Sequence, residues 1–334
     1  MRVAVLGGTR FIGRATVEEL ASGGDELLVV HRGQLEPGDL PQVHHLHCDR
    51  AELASHREEL AAFRPDAVID CFALTRADAE GALQALPDVE RWIVISSVDV
   101  YRAFGALLSG RETDPVPITE DSPVRSERYP YRGKLAGRED YDKLDVEDVY
   151  LAHGALVVRL PMVFGENDYQ RREEFILRRV RAGRRQIPFG AGSWLTCRVY
   201  VRDVARAIHL ALGKPDVAGV LNLCEDRTYS IGLWARMILE AAGSEAELVR
   251  VPDEKLPADL EETGTLPQHI ATSSQKARRL LGWSTSDPWE SLRSTVHWHL
   301  NHPPADASED FTADDRALEA GPKPLGERFG DPGG

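Results

Sequence analysis

Four short apolar runs, Val3–Leu6, Glu26–Val30, Ala67–Cys71 and Trp92–Ser96, punctuate the first hundred residues. Their successive positions are apolar and do not alternate, the pattern of strands covered on both faces. Between the first two, Ile12, Ala15, Thr16, Glu19 and Leu20 recur at helical spacing over Gly13–Ser22, and Gly23-Gly24 closes the segment. Strand–helix–strand units in series predict an α/β fold, a Rossmann-like doubly wound parallel sheet with right-handed crossovers. Residues 103–140 have no periodicity and collect Pro115, Pro117, Pro123 and Pro130, which predicts a long loop. A helix from Asp140 to His153-Gly154 and a buried strand at Leu156–Leu160 follow. Further helices are expected near Arg172–Ala182, Val201–Leu212, Ile231–Ala242 and Trp289–Leu300. The pattern divides into a dinucleotide-binding domain over 1–165, with returning elements near 195–225, and a smaller C-terminal substrate lobe over 166–300. Beyond Asn301, five prolines and five glycines with eight acids against three bases predict a disordered or draped tail over 301–334.

Composition narrows the function. Of 334 residues, 42% are hydrophobic and 28% charged, the balance of a soluble globular protein. Forty basic against 54 acidic side chains give a formal charge of −14, which argues against nucleic acid as a partner. The four cysteines, Cys48, Cys71, Cys197 and Cys224, have no metal-ligand spacing and read as buried thiols of a reducing compartment. Met1-Arg2 leads straight into the first strand, and no apolar run approaches the roughly 18 residues of a membrane span. The expectation is a cytoplasmic protein with no membrane partner and a small-molecule substrate. His44, His45, His47, His297 and His299 lack a carboxylate-rich setting, so they read as surface or packing residues and no metal site is expected.

Gly7-Gly8-Thr9-Arg10-Phe11-Ile12-Gly13 closes the first strand and opens a helix. Gly7 permits the tight turn and Gly13 a close helix–sheet approach, while the N–H groups of the first helical turn suit a pyrophosphate. The run resembles the G-x-x-G-x-x-G fingerprint of extended and atypical short-chain dehydrogenases/reductases, the NAD(P)-dependent epimerase/dehydratase group. Four further segments keep the family's order. Ile95–Tyr101 resembles its S-S-x-x-V-Y stretch, Val158–Gly165 its L-R-P-x-x-V-Y-G strand and turn, Val199–Ala205 its h-V-x-D-V-A helix start, and Lys276–Trp283 its K-A-x-x-x-L-G-W segment.

The resemblance implies a nicotinamide dinucleotide held by Gly7, Gly8, Thr9, Arg10, Phe11, Ile12 and Gly13. Ala73, in Cys71-Phe72-Ala73, would lie under the adenosine and Asp49 would accept from the adenine amino group; as an alternative, Asp49 caps a helix starting near Ala51. The second strand closes on His31-Arg32 where an NAD enzyme carries an acid for the ribose diol. A carboxylate repels a 2′-phosphate and arginine pairs with it, so Arg10 and Arg32 favour NADP over NAD.

The family's chemistry rests on Tyr-x-x-x-Lys plus a serine, and no Tyr-x-x-x-Lys occurs in this chain. Ser97 fits the serine. With Lys143 as the lysine, Glu147 follows four residues on, Glu139 fills the tyrosine slot, and Tyr141 is the nearest phenol, usable only if the helix begins after it. With Lys134 as the lysine, the slot is Pro130, flanked by Tyr129 and Tyr131. Lys143 is preferred because Pro130 cannot sit inside a helix; it would serve as both a catalytic and a cofactor-binding residue. The seven arginines from Arg171 to Arg185 form either an anion patch or a solvated helix face. Thr196 stands where nucleotide-sugar members carry an arginine, with Arg198 two residues on, which weakens a nucleotide-sugar assignment. The leading function is an oxidoreductase, epimerase or dehydratase acting on a hydroxyl or carbonyl of a polar, sugar-derived metabolite, with a homodimer implied by the family. The other reading is a catalytically altered member of this fold used for RNA binding or scaffolding.

Overall fold

The computed structural model describes residues 1–321. Seven parallel strands form the central sheet: β1 (Arg2–Leu6), β2 (Glu26–His31), β3 (His44–His47), β4 (Ala67–Asp70), β5 (Arg91–Ser97), β6 (Leu156–Leu160) and β11 (Gly219–Asn222), in the order β11-β6-β5-β4-β1-β2-β3. Alternate side chains of each strand enter opposite cores. Val3, Val5 and Ile69 pack on one face, and Ala4, Leu6 and Val68 on the other. That division explains why these strands read as unbroken apolar runs. The order reverses beside β1, where β4 departs on one side and β2 on the other, and such a switch point opens a crevice at the strand C-termini.

Helices α1 (Phe11–Ser22), α2 (Arg57–Phe63), α3 (Arg76–Ala85), α4 (Arg102–Leu108) and α5 (Lys143–Ala152) belong to the first half. The second half adds α6 (Glu174–Arg181), α7 (Val201–Leu212), α8 (Ile231–Ala241), α9 (Gln275–Leu281), α10 (Pro288–Asn301) and α11 (Thr312–Glu319). Two-stranded pairs complete it: β7 (Met162–Phe164) with β10 (Arg198–Tyr200), β8 (Gln186–Phe189) with β13 (Glu247–Arg250), and β9 (Leu195–Thr196) with β12 (Tyr229–Ser230).

The stretch expected as loop from 103 to 140 begins with α4, and only the remainder is irregular. The tail also departs from its composition. Residues 302–311 run past α6, where Arg178 donates to Asp310 O at 3.2 Å, and α11 docks through Asp314, which is fully buried and accepts from Arg179 Nε and Nη2 at 2.7 Å each. The acid that composition counted as solvating is neutralised by a guanidinium 135 residues earlier. Positions 322–334 of the expected tail lie outside the described residues.

Candidate functional site

The loop between β1 and α1 is shaped by its glycines. Gly7 adopts φ +90°, and its N–H donates to Val30 O at 3.0 Å, tying the turn to β2. A Cβ on Gly13 would lie 1.9 Å from Gly7 O, and one on Gly8 2.6 Å from Val29 Cγ1. Helix and loop therefore meet at a separation that excludes any side chain. Helix α1 starts with no side-chain cap and no acid in its first turn, which leaves its free N–H groups for an anion. They face a cavity of about 710 Å³ at the switch point, whose walls include Gly7, Thr9, Arg10, Phe11, Ile12, Gly13, Arg32, Asp49 and Tyr141. Gly8 and Ala73 are buried outside that lining. The cradle, the unpaired N–H groups and the cavity fit a dinucleotide.

Arg10 and Arg32 are exposed and line this cavity, and neither has a carboxylate partner among the described residues. Asp49 caps the short 3-10 helix Arg50–His56, Oδ1 accepting from Ala51 N at 3.0 Å, and also lines the cavity. Beneath it, Arg50 pairs with the fully buried Asp70, which also accepts from Tyr150 OH. Asp70, an acid inside the apolar run Ala67–Cys71, is the one signal in the sequence that could have found this pair.

The histidines are not isolated from carboxylates. His47 pairs with Glu36, and ligand atoms of His31, Glu36 and His45 lie within 4.8 Å of one another. The strand register accounts for the cluster, because His31 on β2 faces His47 on β3, and His45 shares its face. Gly33 N–H occupies His31 Nδ1 at 3.1 Å, so Nε2 keeps the proton it shares with His45 Nδ1 at 2.9 Å. His31 Nε2 and His45 Nδ1 are thus held by each other.

Helix α5 begins at Lys143, one residue after its N-cap Asp142, whose Oδ1 accepts from Leu144 N at 2.9 Å. Tyr141 therefore precedes the helix and is freed from its angular constraint. Its phenol donates to Asp99 Oδ2 at 2.7 Å, and Tyr131 reaches the same oxygen at 3.4 Å. Ser97 Oγ accepts from Asp99 N at 3.1 Å and so holds the turn that presents this carboxyl. Lys143 Nζ is buried and donates to Ala73 O at 2.6 Å and Ile95 O at 2.9 Å, bridging the ends of β4 and β5. Of Ser97, Tyr141 and Lys143, only Tyr141 lines the cavity. Glu147, one turn along α5, pairs with Arg159 at 2.7 Å and accepts from Ser96. In the other register, Lys134 is exposed in a turn and Tyr129 donates to Asp145 at 3.2 Å.

Burial dominates the electrostatics here. It pushes the Asp99 carboxyl up, and burial together with Asp99 pushes the Tyr141 phenol well above its usual range. Burial brings Lys143 down to about 8. Asp99 was missed in the sequence reading because nothing around it marks a carboxylate for burial. Its Oδ1 is enclosed and has no partner among the described residues.

A second cavity of about 770 Å³ shares Gln170 and Arg172 with the first and is floored by Arg198, Trp234 and Glu173. The arginine-rich segment is engaged internally instead of forming an anion patch. Arg172 pairs with Asp168, Arg178 and Arg179 with Asp259, Arg181 with Glu174 and Arg184 with Asp315.

The model of the NAD dependent epimerase/dehydratase family matches residues 3–232. A chloroplast stem-loop binding protein of 41 kDa from Arabidopsis thaliana is 26% identical over 95% of this chain and 84% of its own length. The 2′-dehydrokanamycin reductase of Streptomyces kanamyceticus is 32% identical over 49% of this chain and 43% of its own. A solved UDP-glucose-4-epimerase of Stenotrophomonas maltophila with bound NAD superposes with a TM-score of 0.71 at 19% identity, covering 90% of this chain and 98% of that one. With a family match over more than half its length and the family's seven-stranded parallel sheet, the chain belongs to the NAD-dependent epimerase/dehydratase family.

Proposed function

We propose that this chain is an NAD(P)-dependent oxidoreductase, epimerase or dehydratase acting on a hydroxyl or carbonyl of a polar, sugar-derived metabolite, with NADP(H) preferred over NAD(H). The observation that carries the reading is Tyr141, a phenol on the wall of the dinucleotide cavity held at 2.7 Å by a buried carboxyl. When bound, the dinucleotide supplies a hydride acceptor or donor. The glycine loop and α1 hold its pyrophosphate, Arg10 and Arg32 flank a 2′-phosphate, and Asp49 accepts from the adenine with the oxygen not capping Ala51.

The proton is handled by the chain itself. A neighbouring ammonium would lower a tyrosine; here Asp99 raises it, so Tyr141 stays protonated at neutral pH and acts as the proton donor to a substrate oxygen. Asp99, lifted by burial, exchanges that proton through the phenol in either direction. Ser97 fixes Asp99 through its N–H, and Lys143 joins β4 to β5 and balances the charge beneath the site. The paired arginines and the charge of −14 support this reading over RNA binding.

The test is a panel of sugars and aminocyclitols with NADP⁺ or NADPH, followed by nicotinamide absorbance. Tyr141→Phe should abolish turnover and leave dinucleotide affinity unchanged. Undiminished turnover in that variant would remove Tyr141 from the reaction.

A further inference from the structure

We propose that the second cavity binds an amine-bearing sugar, its ammonium group against Glu173 and its hydroxyl or ring oxygens on Arg198, and that it does not take a nucleoside diphosphate. The inference rests on the family reading above and names the substrate class for it.

The floor of this cavity holds two charged groups with open valences. Arg198, on β10, lies with its guanidinium carbon 4.5 Å over the Trp234 ring and is 5% exposed. The only hydrogen bond of its guanidinium among the described residues runs from Nη1 to Thr196 O at 2.9 Å, and it forms no ion pair there. Nε and Nη2 remain for a ligand acceptor.

Glu173 is 1% exposed and occupies the N-cap position of α6. An aspartate at that position would accept from the free N–H groups of the first turn; glutamate is one methylene longer. Glu173 makes no such bond, and its Oε2 is enclosed without a partner among the described residues. A buried acceptor left unmade is costly, so one retained on a cavity floor points to a donor that arrives with the ligand.

The surrounding charges decide the ligand's sign. The other cations of the walls are engaged: Arg172 with Asp168, Arg178 with Asp259, and Arg171 with His302 O at 2.7 Å. Glu262 lines the wall without an ion pair among the described residues; Glu225, whose N–H donates to Arg198 O, is buried behind the wall with Oε2 unpartnered among them. Glu173 and Glu262 thus line the cavity beside Arg198 without an ion pair among the described residues. A diphosphate would bring further negative charge against Glu173, whereas an ammonium supplies the donor Glu173 lacks. Thr196, where an arginine would add positive charge, is buried and turns its hydroxyl to Met162 Sδ. The volume, about 770 Å³, suits a ligand of disaccharide size.

Protonation gives a distinguishing signature. Burial, reinforced by Asp168, pushes Glu173 up to about 7, and burial pushes Glu225 up to about 8. The empty cavity therefore holds a proton on Glu173 part of the time at neutral pH, and an arriving ammonium expels it.

The test is calorimetry on the full chain saturated with NADPH, at pH near 7, in two buffers of different ionisation enthalpy. The probes are the glucosamine disaccharide, cellobiose and UDP-glucose. The expected result is binding of the amine disaccharide about tenfold or more tighter than cellobiose, with net proton release and no displacement by UDP-glucose. Glu173→Gln should lose both the preference and the proton release while keeping NADPH affinity. If that variant does not fold, proton release by the natural chain decides alone. Equal binding of the two disaccharides, binding of neither, or displacement by UDP-glucose would overturn the proposal. Failure of NADPH itself to bind would instead overturn the family reading of the first cavity.

Discussion

Removing the carboxylate of Asp314 should cost the fold about 3 kcal/mol and loosen the wall of the second cavity. Arg179 and Asp314 are both fully buried, and Arg179 divides its donors between Asp314, at 2.7 Å twice, and Asp259, at 2.7 and 3.1 Å. Breaking a buried pair costs about 3–5 kcal/mol because a charge stays behind uncompensated. Asp259 continues to neutralise the guanidinium, which places Asp314→Ala at the lower end. With an unfolding entropy of about 2.1 cal/mol/K per residue, that loss lowers Tm by roughly 4–5 °C. Helix α11 should also be released locally, and with the preceding Ser308 its Ala313 belongs to the cavity wall. Limited proteolysis would then cut near residues 303–312 in the variant before the natural chain is touched. The control is Asp315→Ala, which removes an exposed pair with Arg184 and should change stability by less than about 1 kcal/mol. Equal melting and equal protease resistance of the two variants would refute the assignment of α11 as an anchored element.

Other outcomes follow from the same geometry. Gly13→Ala places a methyl 1.9 Å from Gly7 O, so the loop must open, and dinucleotide affinity should fall at least tenfold by fluorescence titration while the far-UV spectrum is kept. Arg32→Ala should weaken NADPH about ten- to a hundredfold, the value of a charge-assisted contact, and leave NADH unchanged; equal loss for both would remove Arg32 from the 2′-phosphate. Glu173, lifted from 4.5 to about 7, holds a proton in the folded state that the unfolded chain has released over that interval. Stability contributed by this group is therefore present at pH 4.5 and lost as pH rises to 7, and Glu173→Gln should be the more stable form at pH 8 by about 1–3 kcal/mol and no better at pH 4.5. Denaturant titrations at the two pH values read the difference.

Much of the fold was legible because it obeys a local rule. Strands buried on both faces read as apolar runs, and Leu156–Leu160 and α7 (Val201–Leu212) fall at the bounds expected for them. Strand β3, with the sequence His44-His45-Leu46-His47, was not visible, since an edge strand with one buried side chain carries no apolar signature. Helices α4 and α11 were lost to composition, the first among prolines and the second among acids. For α11 the deciding partner is distant: Asp314 is an anchor only because Arg179 lies beneath it. The site divides the same way. The glycine loop is local and could be read, as could the condition that Tyr141 precede its helix. Asp99 became visible only when folding placed it under Tyr141, and the arginine-rich segment showed its role only through acids from residues 168 to 315.

The central claim is that the turn from β1 into α1 grips the pyrophosphate of a nicotinamide dinucleotide. Calorimetric titration of the purified full chain with NADPH and with NADH tests it most directly. The account predicts saturable binding near one dinucleotide per chain, tighter for NADPH, and lost in Gly13→Ala; no heat with either dinucleotide at millimolar concentration would contradict it.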